Sequence, residues 1–157
     1  MVRALITRSP EQLPPRPSIT SSAPSMLRMI HVPGALFSVN PVNARGVPNL
    51  FARNERVVCV FDGERGPFVM VLVGATIVGS MATTWHGVVN PPRPGSVREW
   101  RYDSSAHRLA KGDEMGRFLL GSTVVLLFPE QTVRFADSCK AEAAVRMGEP
   151  LGEFTVS

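Results

Sequence analysis

Cysteine, lysine and tyrosine are scarce in this chain of 157 residues, which has two cysteines and one tyrosine. Cys59 and Cys139 are far apart and match no metal-ligand spacing, so a disulfide-stapled scaffold and a cysteine-based metal module are excluded. Free thiols in a reducing compartment are the expectation. The three histidines, His31, His86 and His107, are scattered without ligand spacing, which argues against a metal site. Lysine occurs only at Lys111 and Lys140, and this bears on swinging-arm carrier domains. In "KGDEMG", residues 111–116, Gly116 follows Met115 and no lysine stands at the hairpin tip. Aromatic residues make up 7% of the chain. The one basic and aromatic stretch, "REWRYD" (Arg98 to Asp103), has no companion and reads as an exposed strand with arginine stems covering Trp100, not as a base-stacking platform. In "MVRALITRSPEQ" the apolar run is too short for a signal peptide.

The chain is 44% hydrophobic and 19% charged, a balance that suits one globular domain with a sizeable core. Its net charge of +4 comes almost wholly from arginine, the residue suited to bidentate contact with carboxylate or phosphate. Residues 1–26 mix Pro10, Pro14, Pro15, Pro17 and Pro24 with five serines, which predicts a disordered segment. From Leu27 onward, short apolar runs such as "LRMIHVPG", "LFSVNP", "RVVCVFDGERG" and "STVVLLFPEQ" alternate with turn signals. That rhythm predicts an all-β fold, an antiparallel barrel-sandwich over residues 27–157. Asp62-Gly63 and the cluster Pro91 to Gly95 mark hairpin connections, and "NLFARNE" (Asn49 to Glu55) predicts a short helical turn capped by Asn49. The uncharged run Phe68 to Trp85 approaches bilayer-spanning length, but its β-branched residues, interrupted at Gly74 and Gly79, read as strands.

Within "MGRFLLGSTVVLLF" (Met115 to Phe128), the triplet Gly121-Ser122-Thr123 interrupts what would otherwise be one buried strand. Glycine before serine is the sequence an intramolecular N-to-O acyl shift requires, because the flexible Gly121 lets its carbonyl meet the Ser122 hydroxyl. Taken alone, the triplet is better read as a tight turn or a bulge between strands, because such triplets are common.

Several longer segments add context: "LFSVNP" (36–41), "VPNLFARNERV" (47–57), "VLVGATIVGS" (71–80), "KGDEMGRFLLGST" (111–123) and "GEPLGEF" (148–154). On these the run from Leu27 to the C-terminus resembles the bacterial phosphatidylserine decarboxylase proenzyme family. The resemblance implies self-cleavage between Gly121, which supplies the cleaved carbonyl, and Ser122. Ser122 is then the self-cleavage nucleophile, the precursor of a covalent pyruvoyl cofactor, and the Schiff-base site for the substrate amine. The implied reaction converts phosphatidylserine to phosphatidylethanolamine in phospholipid biosynthesis. The implied partners are phosphatidylserine and an anionic membrane surface, with no nucleic acid and with room for an oligomer. The implied location is peripheral to the cytoplasmic face of the bacterial inner membrane.

One departure accompanies the match. Family members cleave themselves with an Asp-His-Ser triad whose Asp and His lie upstream of the position of Leu27, the His in a Tyr-His-Arg-x-His segment. Residues 1–26 contain neither His nor Asp. The alternative reading is therefore a catalytically silent remnant that binds lipid or a partner through the same fold.

Overall fold

The computed structural model describes residues 23–76, 80–90, 92, 95–119, 122–146 and 149–155, together with the backbone of 2–6; Ser122 is described by its backbone alone. Three strands rich in β-branched residues form its centre: β3 (Arg56–Gly63), β4 (Gly66–Val73) and β9 (Ser122–Leu127). They join β1 (Val2–Ile6), β2 (Ser25–Val32) and β7 (Arg98–Arg101) in a six-stranded sheet of order β1-β9-β4-β3-β2-β7. Every pairing in it is antiparallel. A second sheet, β6-β5-β8, consists of β5 (Met81–Thr83), β6 (Gly87–Asn90) and β8 (Gly116–Phe118). A separate ribbon pairs β10 (Val133–Phe135) with β11 (Gly152–Phe154).

The large sheet aims one face at the core. In register, Val124, Leu72, Val57 and His31 form one row across β9, β4, β3 and β2, and Leu126, Met70, Cys59 and Met29 form the next. Met81 and Val89 from the small sheet pack on Met26, Met29, Val57, Cys59, Phe61, Leu72 and Val124. The fold is therefore mostly β and antiparallel, as expected, but its sheets do not close into a barrel.

Four expectations change in detail. The disordered start does not extend to residue 26: Ser25 and Met26 open β2, and Met26 is fully buried. Val2–Ile6 pairs with β9, while residues 7–22 lie outside the described residues. Between β3 and β4 the turn falls at Glu64-Arg65, because Gly63 pairs with Gly66 and Gly66 takes a φ of 98°. The segment after Asn90 is not a hairpin, since β6 and β7 belong to different sheets. "LFSVNP" forms no strand; Asn40 instead accepts a hydrogen bond from Asn43 N at 2.8 Å and caps α1 (Pro41–Gly46), where Pro41 lacks the N–H a ladder needs.

The short helix α2 (Leu50–Arg53) forms where "NLFARNE" predicted one. Asn49 occupies its N-cap position with a left-handed φ of 56° and makes no side-chain cap. Phe68 to Trp85 resolves into the end of β4 and β5, interrupted at Gly74 as expected; Gly79 lies outside the described residues. Among the described residues no helix is long and apolar enough to cross a membrane. Arg98 lies over Trp100, its guanidinium carbon 5.2 Å from the ring centroid, as the covering-arginine reading of "REWRYD" required.

Candidate active-site corner at the start of strand β9

Ser122 is the first residue of β9 and pairs with Ile6. Gly121 lies outside the described residues. The last β4–β9 pair is Val73 with Thr123, so Gly74 and Ser122 are the next residues beyond it on their two chain segments. Gly74 N donates to Glu55 O at 2.8 Å, which ties the chain just past β4 to the start of β3. A glycine at this crossing is a close-packing requirement. A Cβ there would stand 3.1 Å from Glu55 O and 3.4 Å from Leu36.

Glu55 anchors a buried polar cluster. It lies in phase with Val57, Cys59 and Phe61, which points it into the core, and it is 1% exposed. Its Oε1 lies 2.9 Å from His31 Nε2, and its Oε2 accepts from Asn90 Nδ2 at 2.9 Å. Asn90 Oδ1 accepts from Met81 N at 2.8 Å, which ties the small sheet to the same point. Next to Glu55, the fully buried Asn54 accepts from Phe37 N at 3.0 Å and donates to Phe37 O and Gly74 O, both at 2.8 Å. Buried polar groups persist when they are paired, and these pairs lock three chain segments onto the crossing of Gly74 and Glu55.

Thr123 supplies the one buried hydroxyl near the corner that is left unpaired. It is fully buried, and its Oγ1 has no hydrogen-bond partner among the described residues. The three histidines do not converge there. His31 is committed to Glu55 through Nε2. His86 packs on Trp100 at 4.6 Å between ring centroids, and burial, reinforced by Arg98, holds its pKa below the ordinary 6.5. His107 packs against Tyr102 and Trp85, and Trp85 in turn meets Phe61 near the far end of β3. That end lies about 20 Å from Glu55 at ~3.4 Å per residue. Among the described residues no three His, Cys, Asp or Glu side chains group as metal ligands.

Sequence reasoning selected Gly121 and Ser122 and named His31 only as one of three scattered histidines; it missed Glu55, Asn54 and Asn90. A signal for Glu55 was present, because a carboxylate in phase with three apolar strand residues must be buried and partnered. Asn90 carried none, since its partner is distant in sequence.

The antiparallel β fold and this corner define a chain whose reactive candidate is a backbone junction at the head of an internal strand of the large sheet. A family model described as phosphatidylserine decarboxylase matches residues 23–153, and the chain belongs to that family. It is 70% identical over 128 residues to a phosphatidylserine decarboxylase proenzyme of Azoarcus sp., a match covering 82% of this chain and 44% of the relative. Proenzymes of the same name from Dechloromonas aromatica and Methylibium petroleiphilum are 68% and 71% identical. Those matches cover 81% and 80% of this chain but 45% and 44% of the relatives. The chain thus spans under half the length of the curated relatives it matches.

Proposed function

We propose that this chain is the pyruvoyl-bearing portion of a phosphatidylserine decarboxylase, a carboxy-lyase that converts phosphatidylserine to phosphatidylethanolamine at the cytoplasmic face of the bacterial inner membrane. The observation that carries this is the continuous family match over residues 23–153, which includes Gly121 and Ser122. Ser122 is the self-cleavage nucleophile and Gly121 the carbonyl it attacks. The local structure suits a covalent group at position 122. Gly74, directly after the last β4–β9 pair, adds no side chain at that end of the sheet, and the unpaired Thr123 hydroxyl is adjacent in sequence to position 122. When formed, a pyruvoyl group supplies an electron-withdrawing ketone that accepts the electron pair left as carbon dioxide departs. The chain's own contribution is placement: β4 holds β9 in register, Gly74 keeps the approach narrow, and the Glu55 cluster keeps the end of the core rigid and free of water.

The base for self-cleavage belongs to the portion of the longer proenzymes outside the match. His31 is occupied by Glu55, and the rings of His86 and His107 pack on aromatic residues away from the corner. The same observation favours a second reading, a catalytically silent module that binds lipid or a partner. One experiment separates the two. Intact-mass spectrometry of the isolated chain should show a single uncleaved polypeptide. The upstream part of the Azoarcus sp. relative, fused ahead of residue 23, should then induce cleavage between Gly121 and Ser122 and conversion of phosphatidylserine. Ser122→Ala in the fusion should abolish both. A folded fusion that stays intact would establish the silent module instead.

A further inference from the structure

Strands β3, β4 and β9 are apolar on both faces, which their near-continuous runs "RVVCVF", "FVMVLV" and "TVVLL" already show. Opposite the core face, register aligns Val125, Val71, Val58 and Ile30 in one row. Leu127, Val69 and Val60 form the next, continued by Arg28 and Arg101. An antiparallel sheet with one wet face alternates apolar and polar residues, whereas strands apolar on both sides belong to a sheet covered twice. Here the second face is covered at one end only among the described residues. There, Phe51 and Ala52 of α2 line an apolar hollow of about 170 Å³ with Val71, Val73, Val125 and Arg56. Elsewhere the valines of this face are only partly buried and Leu127 is 47% exposed.

We propose that this face, formed by Ile30, Val58, Val60, Val69, Val71 and Leu127, is the seat of the polypeptide that lies outside the matched region in the longer relatives. In those proteins it packs as an apolar layer over the outer side of the sheet. The proposal rests on family membership and on the sheet, not on chemistry at Ser122, so it stands or falls apart from the decarboxylase reading. Two observations choose this occupant. The match covers only 44% of the Azoarcus sp. relative, so more than half of that protein is available to form a layer. The arginines beside the apolar rows also share one carboxylate: Glu99 lies 2.9 Å from Arg101 and 3.7 Å from Arg28. Sharing it leaves a single net positive charge among the three, an edge that suits the polar rim of a protein interface with an apolar centre more than a polybasic surface for an anionic bilayer.

Thiol accessibility tests the proposal on both proteins as they exist. Val60→Cys and Val69→Cys are introduced singly into this chain, with Cys139→Ser to remove background, and at the matching positions of the full-length Azoarcus sp. proenzyme. Native Cys59 lies between Val58 and Val60 but points into the core, fully buried, and its burial pushes the thiol pKa up to about 12. It should stay unlabelled and so report an intact fold. Alkylation followed by peptide mass spectrometry should label both new cysteines readily in this chain and about 100-fold more slowly in the proenzyme, with full labelling of each protein in urea. Equal labelling of the two folded proteins overturns the proposal. Protection in this chain that dilution removes assigns the face to a second copy and also overturns it. So does a proenzyme face that closes only when phosphatidylglycerol vesicles are added. If Cys59 becomes reactive in a variant, Val58→Cys and Leu127→Cys on the same face replace it with the same readout.

Discussion

His31 Nε2 lies 2.9 Å from Glu55 Oε1, with both side chains closed to solvent. The pair joins the end of β2 to the start of β3, and Asn90 on the second carboxylate oxygen extends it to the small sheet. A buried pair of this kind is felt most when one partner is removed, because the other stays buried without compensation.

Glu55→Leu, of similar volume, therefore strands His31 Nε2 and Asn90 Nδ2 and should lower unfolding stability by about 3 kcal/mol. Glu55→Gln should cost less, because its amide oxygen still accepts from Asn90. Urea denaturation of the two variants checks the order. Equal losses would show that the carboxylate charge matters more than the hydrogen-bond geometry.

Asn54→Ala leaves the N–H and C=O of Phe37 and the C=O of Gly74 without their side-chain partner, and a loss of roughly 2–3 kcal/mol follows. Asn54→Asp should be worse, since it sets a carboxylate against two carbonyl oxygens. Faster hydrogen exchange around Gly74 should accompany both, and unchanged exchange there would show that Asn54 does not hold this crossing.

Gly34→Ala tests a close approach of two backbones. A Cβ at Gly34 would stand 2.5 Å from Arg53 O and 2.7 Å from Glu55 N, where Ala35 and Asn54 form a parallel bridge. The segments must separate, at a cost of about 1–3 kcal/mol. Thermal denaturation should show the drop, whereas alanine at Gly46, which has no neighbour within 4 Å, should not produce it.

His86 gives the chain a pH dependence with a definite sign. Burial first, and Arg98 second, hold its pKa below the ordinary 6.5, so on acidification the unfolded chain takes up the proton before the folded one. The stabilising contribution is complete above pH 6.5 and is lost as the pH falls below it, until the folded ring also protonates. An NMR titration should place the His86 midpoint under 6.5, and Arg98→Gln should raise it without restoring the ordinary value, because burial remains. A midpoint above 6.5 in the native protein would refute this.

What the sequence made legible was whatever local pattern controls. The β-branched runs of β3, β4 and β9 announced their strands, and Gly74 announced the end of one. Strand order was hidden, because β9 reaches β4 across a long sequence separation that no local signal encodes. Turn placement failed by two residues at Asp62-Gly63, where Gly66 could take a positive φ and won. Asn49 was foreseen as a cap by residue type, yet its own backbone turned left-handed and took the side chain out of reach. Of the candidate corner, Ser122 was legible from its neighbours in sequence. The Glu55 cluster was not, because His31, Glu55 and Asn90 meet only after three strands have folded.

The internal position of β9 has a consequence for a nicked chain. β9 is hydrogen-bonded on one side to β4 from Val69 to Val73 and on the other to β1 from Val2 to Ile6. A backbone break just ahead of Ser122 leaves the downstream piece woven between two strands of the upstream piece, like an inlaid slat that no longer needs its end joint. The two fragments should migrate together through a sizing column and part only in denaturant. A strand laid in this way can exchange its peptide bond for another chemical group at its head while the sheet around it stays whole.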